Sequence, residues 1–241
     1  MPRSTRLSLA FLPFALAACG RLADITGTDR PSLAITPPAH DPILLVHGWN
    51  SSAAAWTTMV GWFKADGWTD AELATWSYNT AQSNEVTARE IQRKVDSILA
   101  VTGASRVDVI THSMGGLSAR YYVKSLRGAK KLDAWVSLAG PNHGTATANF
   151  CFQQSCVEMR PGSAFLNKLN QKDETPGTPR YATWWSTCDE VIIPQNSTPL
   201  AGATNTTTAC MQHSQLREDL GVYAQVRDWV SPPLLASVTA R

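Results

Sequence analysis

The chain predicts an α/β fold, a mostly parallel central sheet with helices on both faces and a small cap region, and three observations lead there. Short apolar runs rich in β-branched residues alternate with stretches of helical periodicity, the rhythm that makes sequential strands parallel. One run, Val107 to His112, delivers Ser113 into a turn closed by Gly115 and Gly116, from which a helical stretch departs. The 241 residues are 44% apolar and only 17% charged, which suits one compact domain with a sizeable core, and no internal repeat argues otherwise.

From the N-terminus, Met1 to Arg6 is basic and Leu7 to Ala18 is an apolar run too short to span a bilayer, ending in Leu16-Ala17-Ala18-Cys19. This resembles a bacterial lipoprotein box. Residues 1–18 are then a signal peptide and Cys19 is the lipid-bearing first residue of the mature chain, with Gly20 permitting transfer to an outer membrane. Ordinary signal-peptidase cleavage with Cys19 incidental is the alternative. Residues 19–41, carrying Pro31, Pro37 and Pro38, form a tether, and residues 42–241 form the folded domain. Loss of residues 1–18 removes Arg3 and Arg6 and no acid, taking the formal charge from +2 to zero, so nothing attracts nucleic acid. The expected location is outside the bacterial cytoplasm, anchored in the outer membrane or periplasm, or secreted.

Ile43 to Val46 reads as a buried strand running into His47-Gly48-Trp49. Helical candidates follow at Ser52 to Ala65 and Glu85 to Val101, stopped by Gly67 and Gly103, with a strand near Leu73 between them. After the strand at Val107 come a helix over Met114 to Leu126, a strand over Ala134 to Leu138 and the segment Ala139 to Thr145. Residues 146–180 are a cap insert, because Phe150 to Arg180 is long for a connection and mixes Phe150, Phe152, Met159, Phe165 and Leu166 with Pro and Gly. Tyr181 to Ser186 and Thr206 to Met211 close the sheet, and Gln215 to Val230 is the final helix.

Chemistry enters at Ser113. A serine hydroxyl is a weak nucleophile that needs a base within reach and backbone N–H groups aimed at the oxyanion formed on attack. A sharp strand-to-helix turn meets both needs, and small residues are expected around it. Gly115 and Gly116 fit, whereas Thr111 stands where glycine is usual. In an α/β-hydrolase the oxyanion donors are the N–H of the residue after the nucleophile and one from the loop after an earlier strand, here Met114 and Trp49. The base must follow the acid, which must follow the serine. His40, His47 and His112 precede Ser113; His112 is adjacent, with its side chain on the other side of the strand, and His47 is structural. His143 leaves no room for an acid, so His213 is selected. Asp189, after the strand at Tyr181, is the expected acid, with Glu190 its nearest rival, and Asp133, Asp219 and Asp228 read as solvent-facing or helix-terminal charges.

VDVITHSMGGLSARYYVK, HGWN, SLAGPNHGT and MRPGSAFLNKLN together resemble the class 2 bacterial triacylglycerol lipases, secreted serine esterases of the α/β-hydrolase fold, from about Pro42 to Val230. Threonine at the front of the elbow is itself usual in that family. The resemblance implies Ser113, Asp189 and His213 as catalytic triad, Trp49 and Met114 as oxyanion donors, and hydrolysis of triacylglycerol or other acyl esters through an acyl-enzyme. An acyltransferase with the same triad, or a non-catalytic surface lipoprotein on a hydrolase scaffold, are the alternatives. Some larger relatives bind calcium near the catalytic histidine; here Ser214 and Gln215 follow His213, no matching ligand set is visible, and no metal or cofactor is expected. The expected partners are an acyl ester or lipid and, through Cys19, a membrane.

Apart from Cys19 the chain has four cysteines, an even number suited to an exported protein. Of three possible pairings, proximity favours Cys151 with Cys156 and Cys188 with Cys210. The second encloses the segment between the acid loop and the base loop, and by loop entropy contributes about 3 kcal/mol. Nine tryptophans are present, Trp49, Trp184 and Trp185 beside the expected catalytic loops.

Overall fold

The computed structural model describes residues 40–231. The expected signal peptide, Cys19 and nearly all of the expected tether lie outside them. Six strands, β1 (Ile43–Val46), β2 (Leu73–Thr75), β3 (Val107–His112), β4 (Leu132–Leu138), β5 (Arg180–Trp185) and β6 (Thr204–Thr207), form one sheet in the order β2-β1-β3-β4-β5-β6. Every neighbouring pair is parallel. The helices are α1 (Thr57–Ala65), α2 (Asn84–Thr102), α3 (Gly115–Ser125), α4 (Gln154–Met159), α5 (Ala164–Asn170) and α6 (Leu220–Val230).

Side chains alternate across a strand, and β1 shows the consequence. Leu44 and Val46 enter a core built with Ala88, Ile91 and Val95 of α2 and Leu117 of α3. Ile43 and Leu45 enter a second core with Met59 and Phe63 of α1 and Val222 and Val226 of α6. All four residues of β1 are fully buried, as a parallel strand covered on both faces requires. Each such side chain contributes roughly 1.5–3 kcal/mol relative to exposure. The expected α/β architecture, with helices on both faces, is therefore the observed one.

The largest differences from expectation concern two elements and one aspartate. The last strand spans Thr204–Thr207 rather than Thr206 to Met211. It pairs only with β5, and beyond Thr208 the chain leaves the sheet, because Cys210 is bound to Cys188 and the Met211 N–H donates to Ser186 Oγ at 2.9 Å. The final helix is divided: a 3-10 turn covers Gln215–Arg217, and α6 starts after Asp219, whose carboxylate accepts the Val222 N–H at 2.9 Å as an N-cap. Asp133 is neither free nor helix-terminal; it lies on β4 and binds Arg180 at 2.5 Å and Arg106 at 3.2 Å.

Within residues 146–180 the chain forms a 3-10 turn at Ala146–Phe150 and the short helices α4 and α5. Glu158 fastens this segment, the expected cap, to the start of α2. Its Oε1 accepts from Ser83 Oγ at 2.6 Å, and its Oε2 accepts from the Asn84 backbone N–H at 2.7 Å, at the positive end of α2. Both disulfides have the pairing that proximity favours, Cys151–Cys156 and Cys188–Cys210.

At the end of β3 remote from Ser113, the carboxylates of Asp41, Asp108 and Asp133 lie within 4.8 Å of one another. Burial, then the charges of Asp41 and Asp133, push the Asp108 carboxyl well above the usual carboxylate range. The folded state thus holds this proton where the unfolded chain, titrating near about 3.9, releases it, and stability falls as pH rises toward the folded value. Asp108→Asn keeps the acceptor for the Ala134 N–H, bonded at 2.8 Å, without the ionisation. Its melting temperature is expected to exceed the parent's by a margin that widens from pH 4 to pH 8 in paired thermal melts; a margin that stays constant or narrows contradicts this.

Candidate active site

The site grows out of the C-terminal ends of β1, β3, β4 and β5. At the tip of β3 the Ser113 N–H still pairs with Leu138 O of β4 at 2.9 Å, and the next residues begin α3. The reversal puts Ser113 at φ 56°, left-handed backbone that side-chain-bearing residues rarely adopt. Met114 stands at the N-terminus of α3, where main-chain N–H groups have no intrahelical acceptor. Close approach requires the first glycine behind it: a Cβ on Gly115 would stand 2.6 Å from the carbonyl oxygens of Val46 and His47. On Gly116 it would stand 3.1 Å from Ser137 Oγ and 3.3 Å from Thr111 Oγ1, a tight fit at the front of the elbow. The Thr111 hydroxyl itself donates to Val136 O at 2.8 Å.

The loop after β1 closes over the serine. A Cβ on Gly48 would come 2.7 Å from Ser113 Cβ, so only glycine lets this loop approach so closely. The His47 ring stacks on Tyr78 at 4.1 Å, its Nδ1–H donates to Gly48 O at 2.9 Å, and the Tyr78 hydroxyl donates to His47 O at 2.5 Å. Burial holds the His47 pKa below its ordinary value, which suits a neutral ring supporting the loop. Trp49 is held from the cap, its indole N–H donating to Gln153 Oε1 at 2.7 Å. Gln153 sits inside the Cys151–Cys156 loop, a link with no signature in the sequence.

Asp189 follows β5 and is almost wholly buried. One carboxylate oxygen, Oδ1, accepts the N–H groups of Val191 and Ile192, each at 2.9 Å. The other, Oδ2, accepts Nδ1–H of His213 at 2.9 Å. The carboxylate is thereby fixed in rotation, with one oxygen committed to backbone and one to the imidazole. Glu190, the rival acid, instead accepts the backbone N–H of His213 through Oε2 at 3.0 Å. His143 is bound to Ser197 O and Glu174 at 3.0 and 2.8 Å, not to Asp189. His112 occupies the face opposite Thr111, as alternation requires, yet it touches His213. The loop carrying His213 wraps onto that face, bringing the two rings to 4.6 Å between centroids.

Ser113 and His213 both line one cavity of about 400 Å³. Its other walls are largely apolar: Trp49 from the loop after β1, Ala148, Phe150 and Met159 from the cap, and Val191 and Ile192 beyond Asp189. Thr145 ties the segment after β4 to this wall, donating to Val191 O at 2.7 Å and accepting the Ile193 N–H at 2.9 Å. Phe150 and Phe152 project outward from the cap, each 87% exposed. A buried carboxylate oriented on an imidazole, with a strained serine sharing its apolar cavity, is an arrangement for taking a proton from a hydroxyl and passing it to a leaving group.

Comparison with known proteins follows the same line. A family model described as "Lipase (class 2)" matches residues 40–231. A triacylglycerol lipase of Pseudomonas fragi is 36% identical over 72 residues, 30% of this chain and 24% of the relative, so the match spans about a quarter of that protein's length. Among solved structures, the mature form of the Bacillus licheniformis lipase BlEst2 superposes with a TM-score of 0.71 at 16% identity, covering 81% of this chain and 94% of the other. The Aspergillus fumigatus lipase B gives 0.67 at 18% identity, covering 81% and 55%. At these identities the structures speak for a shared fold.

Proposed function

The chain belongs to the class 2 lipase family, and from that premise we propose that it hydrolyses acyl esters of lipid type, with Ser113 as nucleophile, His213 as base and Asp189 as the acid that orients it. The observation that carries this reading is the Asp189–His213 bond at 2.9 Å, beside a serine held at φ 56° in the same cavity. With Nδ1 committed to Asp189, Nε2 is the atom left to take the Ser113 proton as Oγ attacks the ester carbonyl. The N–H groups of Met114 and Trp49 meet the oxyanion. The imidazolium gives its proton to the departing alcohol oxygen, and the acyl group stays on Ser113. Water, deprotonated by the same imidazole, then attacks the acyl-enzyme; the imidazolium returns that proton to Ser113 Oγ as the acyl C–O bond breaks and the carboxylic acid leaves.

In this account residues 42–241 work as one hydrolase domain and residues 146–180 as its cap, whose apolar wall receives the acyl chain. The two disulfides support export, and Cys19 is the anchoring point in the lipoprotein reading. The experiment that tests the activity is a panel of p-nitrophenyl esters from short to long acyl chains, run beside emulsified triacylglycerol. Turnover of esters is expected, and inertness toward the whole panel contradicts the reading.

Phe152 stands outside the cavity as part of the surface that meets aggregated substrate. Its replacement by serine is expected to lower the rate on emulsified triacylglycerol roughly tenfold, the scale of one lost aromatic burial, with little effect on dissolved p-nitrophenyl butyrate. Equal losses on both substrates contradict that role.

A further inference from the structure

The base lies where neither sheet nor helix holds it. The last ladder-like bond before His213 is Thr208 N–H to Trp185 O at 2.8 Å, and the 3-10 turn begins at Gln215. Between them side chains hold several main-chain N–H groups, beside one main-chain bond from Gln215 N–H to Gln212 O at 3.0 Å. The Met211 N–H donates to Ser186 Oγ and the Gln212 N–H to Gln215 Oε1. At His213 itself both ends of the residue are taken: its N–H donates to Glu190 Oε2 at 3.0 Å, and its carbonyl accepts from His112 Nε2 at 3.0 Å.

We propose that His112 and Glu190 are positioning residues that grip the peptide groups of His213 from opposite ends, tying the base to the chain neighbours of the nucleophile and the acid. The proposal rests on the reading of Ser113, His213 and Asp189 as the reacting set. His112 directly precedes Ser113 and Glu190 directly follows Asp189, so each grip ties the base's loop to another member's segment. The Cys188–Cys210 disulfide and Ser186, whose hydroxyl accepts the N–H groups of both Cys188 and Met211, close the same junction from behind. A base carried on a loop needs such support, because a misplacement of about 1 Å costs on the order of 100-fold in rate.

The chemistry of both groups fits. A carbonyl partner makes His112 Nε2 the protonated nitrogen. Burial, then His213 and Arg217, hold its pKa well below the ordinary value, so it donates as a neutral ring. Glu190 brings a carboxylate to the main chain of the base, a charge-assisted bond stronger than a neutral one. The titratable groups around the imidazole are therefore the carboxylates of Asp189 and Glu190 and the neutral ring of His112, with Arg217 acting on His112.

The test is turnover per active site, counted by titration with a fluorophosphonate, which separates a slower site from fewer folded sites. His112→Leu, His112→Asn and Glu190→Ala are expected to lower kcat per titrated site by about 10- to 100-fold, with KM little changed. His112→Gln, which keeps an N–H near the position of Nε2, and Glu190→Gln, which keeps the acceptor oxygen, are expected to restore most of that loss. Glu190→Gln should also move the acid limb of kcat/KM to lower pH, since one carboxylate fewer leaves the imidazolium less favoured. Wild-type kcat per titrated site in the leucine and alanine variants, whatever their melting temperatures, overturns the proposal. So do glutamine variants no faster than those. Ser113→Ala run alongside distinguishes the failures: hydrolysis surviving in it overturns the reacting set itself, whereas an inert Ser113→Ala with full turnover in the other variants overturns only the positioning role.

Discussion

Replacing Ser113 by alanine is expected to lower kcat on p-nitrophenyl butyrate by about 10⁴- to 10⁶-fold while leaving the unfolding transition nearly in place. The size follows from chemistry: without the hydroxyl no acyl-enzyme forms, and only water attack in a preformed oxyanion site remains. The small effect on folding follows from geometry. Alanine keeps the Cβ that packs against Gly48 and pays the same strain at φ 56°. Adding His213→Ala to Ser113→Ala is expected to change nothing further, because residues acting as one unit lose their effect together. Substantial esterase activity in Ser113→Ala, measured in protein freed of contaminating hydrolases, contradicts the account.

The second large effect is Asp189→Asn, expected to lower kcat by about 10⁴-fold through the tautomer of the base. Oδ1 accepts two backbone N–H groups, from Val191 and Ile192, so an asparagine at this position keeps its carbonyl oxygen there. The amide NH2 is then turned toward Nδ1 of His213, where Oδ2 now accepts at 2.9 Å. Nδ1 must give up its proton to accept that donor, Nε2 becomes protonated, and the ring no longer has a lone pair for Ser113. Kinetics over a pH series check this, with Glu190→Gln as a comparison: its carboxylate reaches the His213 backbone rather than the ring, so its loss should be far smaller. Equal losses in Asp189→Asn and Glu190→Gln contradict the assignment of the acid.

What could be read from the sequence was what depends on local pattern and chain order. The apolar runs at Ile43, Val107 and Ala134 are buried strands because both faces of a parallel sheet are covered, and a β-branched run records that without reference to the rest of the chain. The turn at Ser113 was legible through its glycines, and the pairing of Asp189 with His213 through their order after Ser113. Cysteine spacing sufficed for both disulfides because each joins loops already adjacent in chain order.

The remainder depends on tertiary contact. Strand β6 reads Thr-Asn-Thr-Thr, is largely exposed and is a strand only by pairing with β5, so its apolar neighbours drew the expectation two residues too late. Helices α4 and α5, of six and seven residues, are too short to show a period, and α5 starts after Ser163, whose hydroxyl caps the Leu166 N–H. The helix at the C-terminal end divides because Asp219 caps α6 behind a separate 3-10 turn. The grip of His112 on His213, 101 residues later, depends on where a loop returns and leaves no trace in either segment.

The central claim is that Ser113 is the nucleophile, and covalent labelling tests it most directly. After incubation with a fluorophosphonate, peptide mass spectrometry of the full chain is expected to find one phosphonyl adduct, on the peptide containing Ser113, absent from Ser113→Ala and strongly reduced in His213→Ala. An active protein that gains no adduct at Ser113, or carries it on another serine with turnover lost in step, contradicts the account.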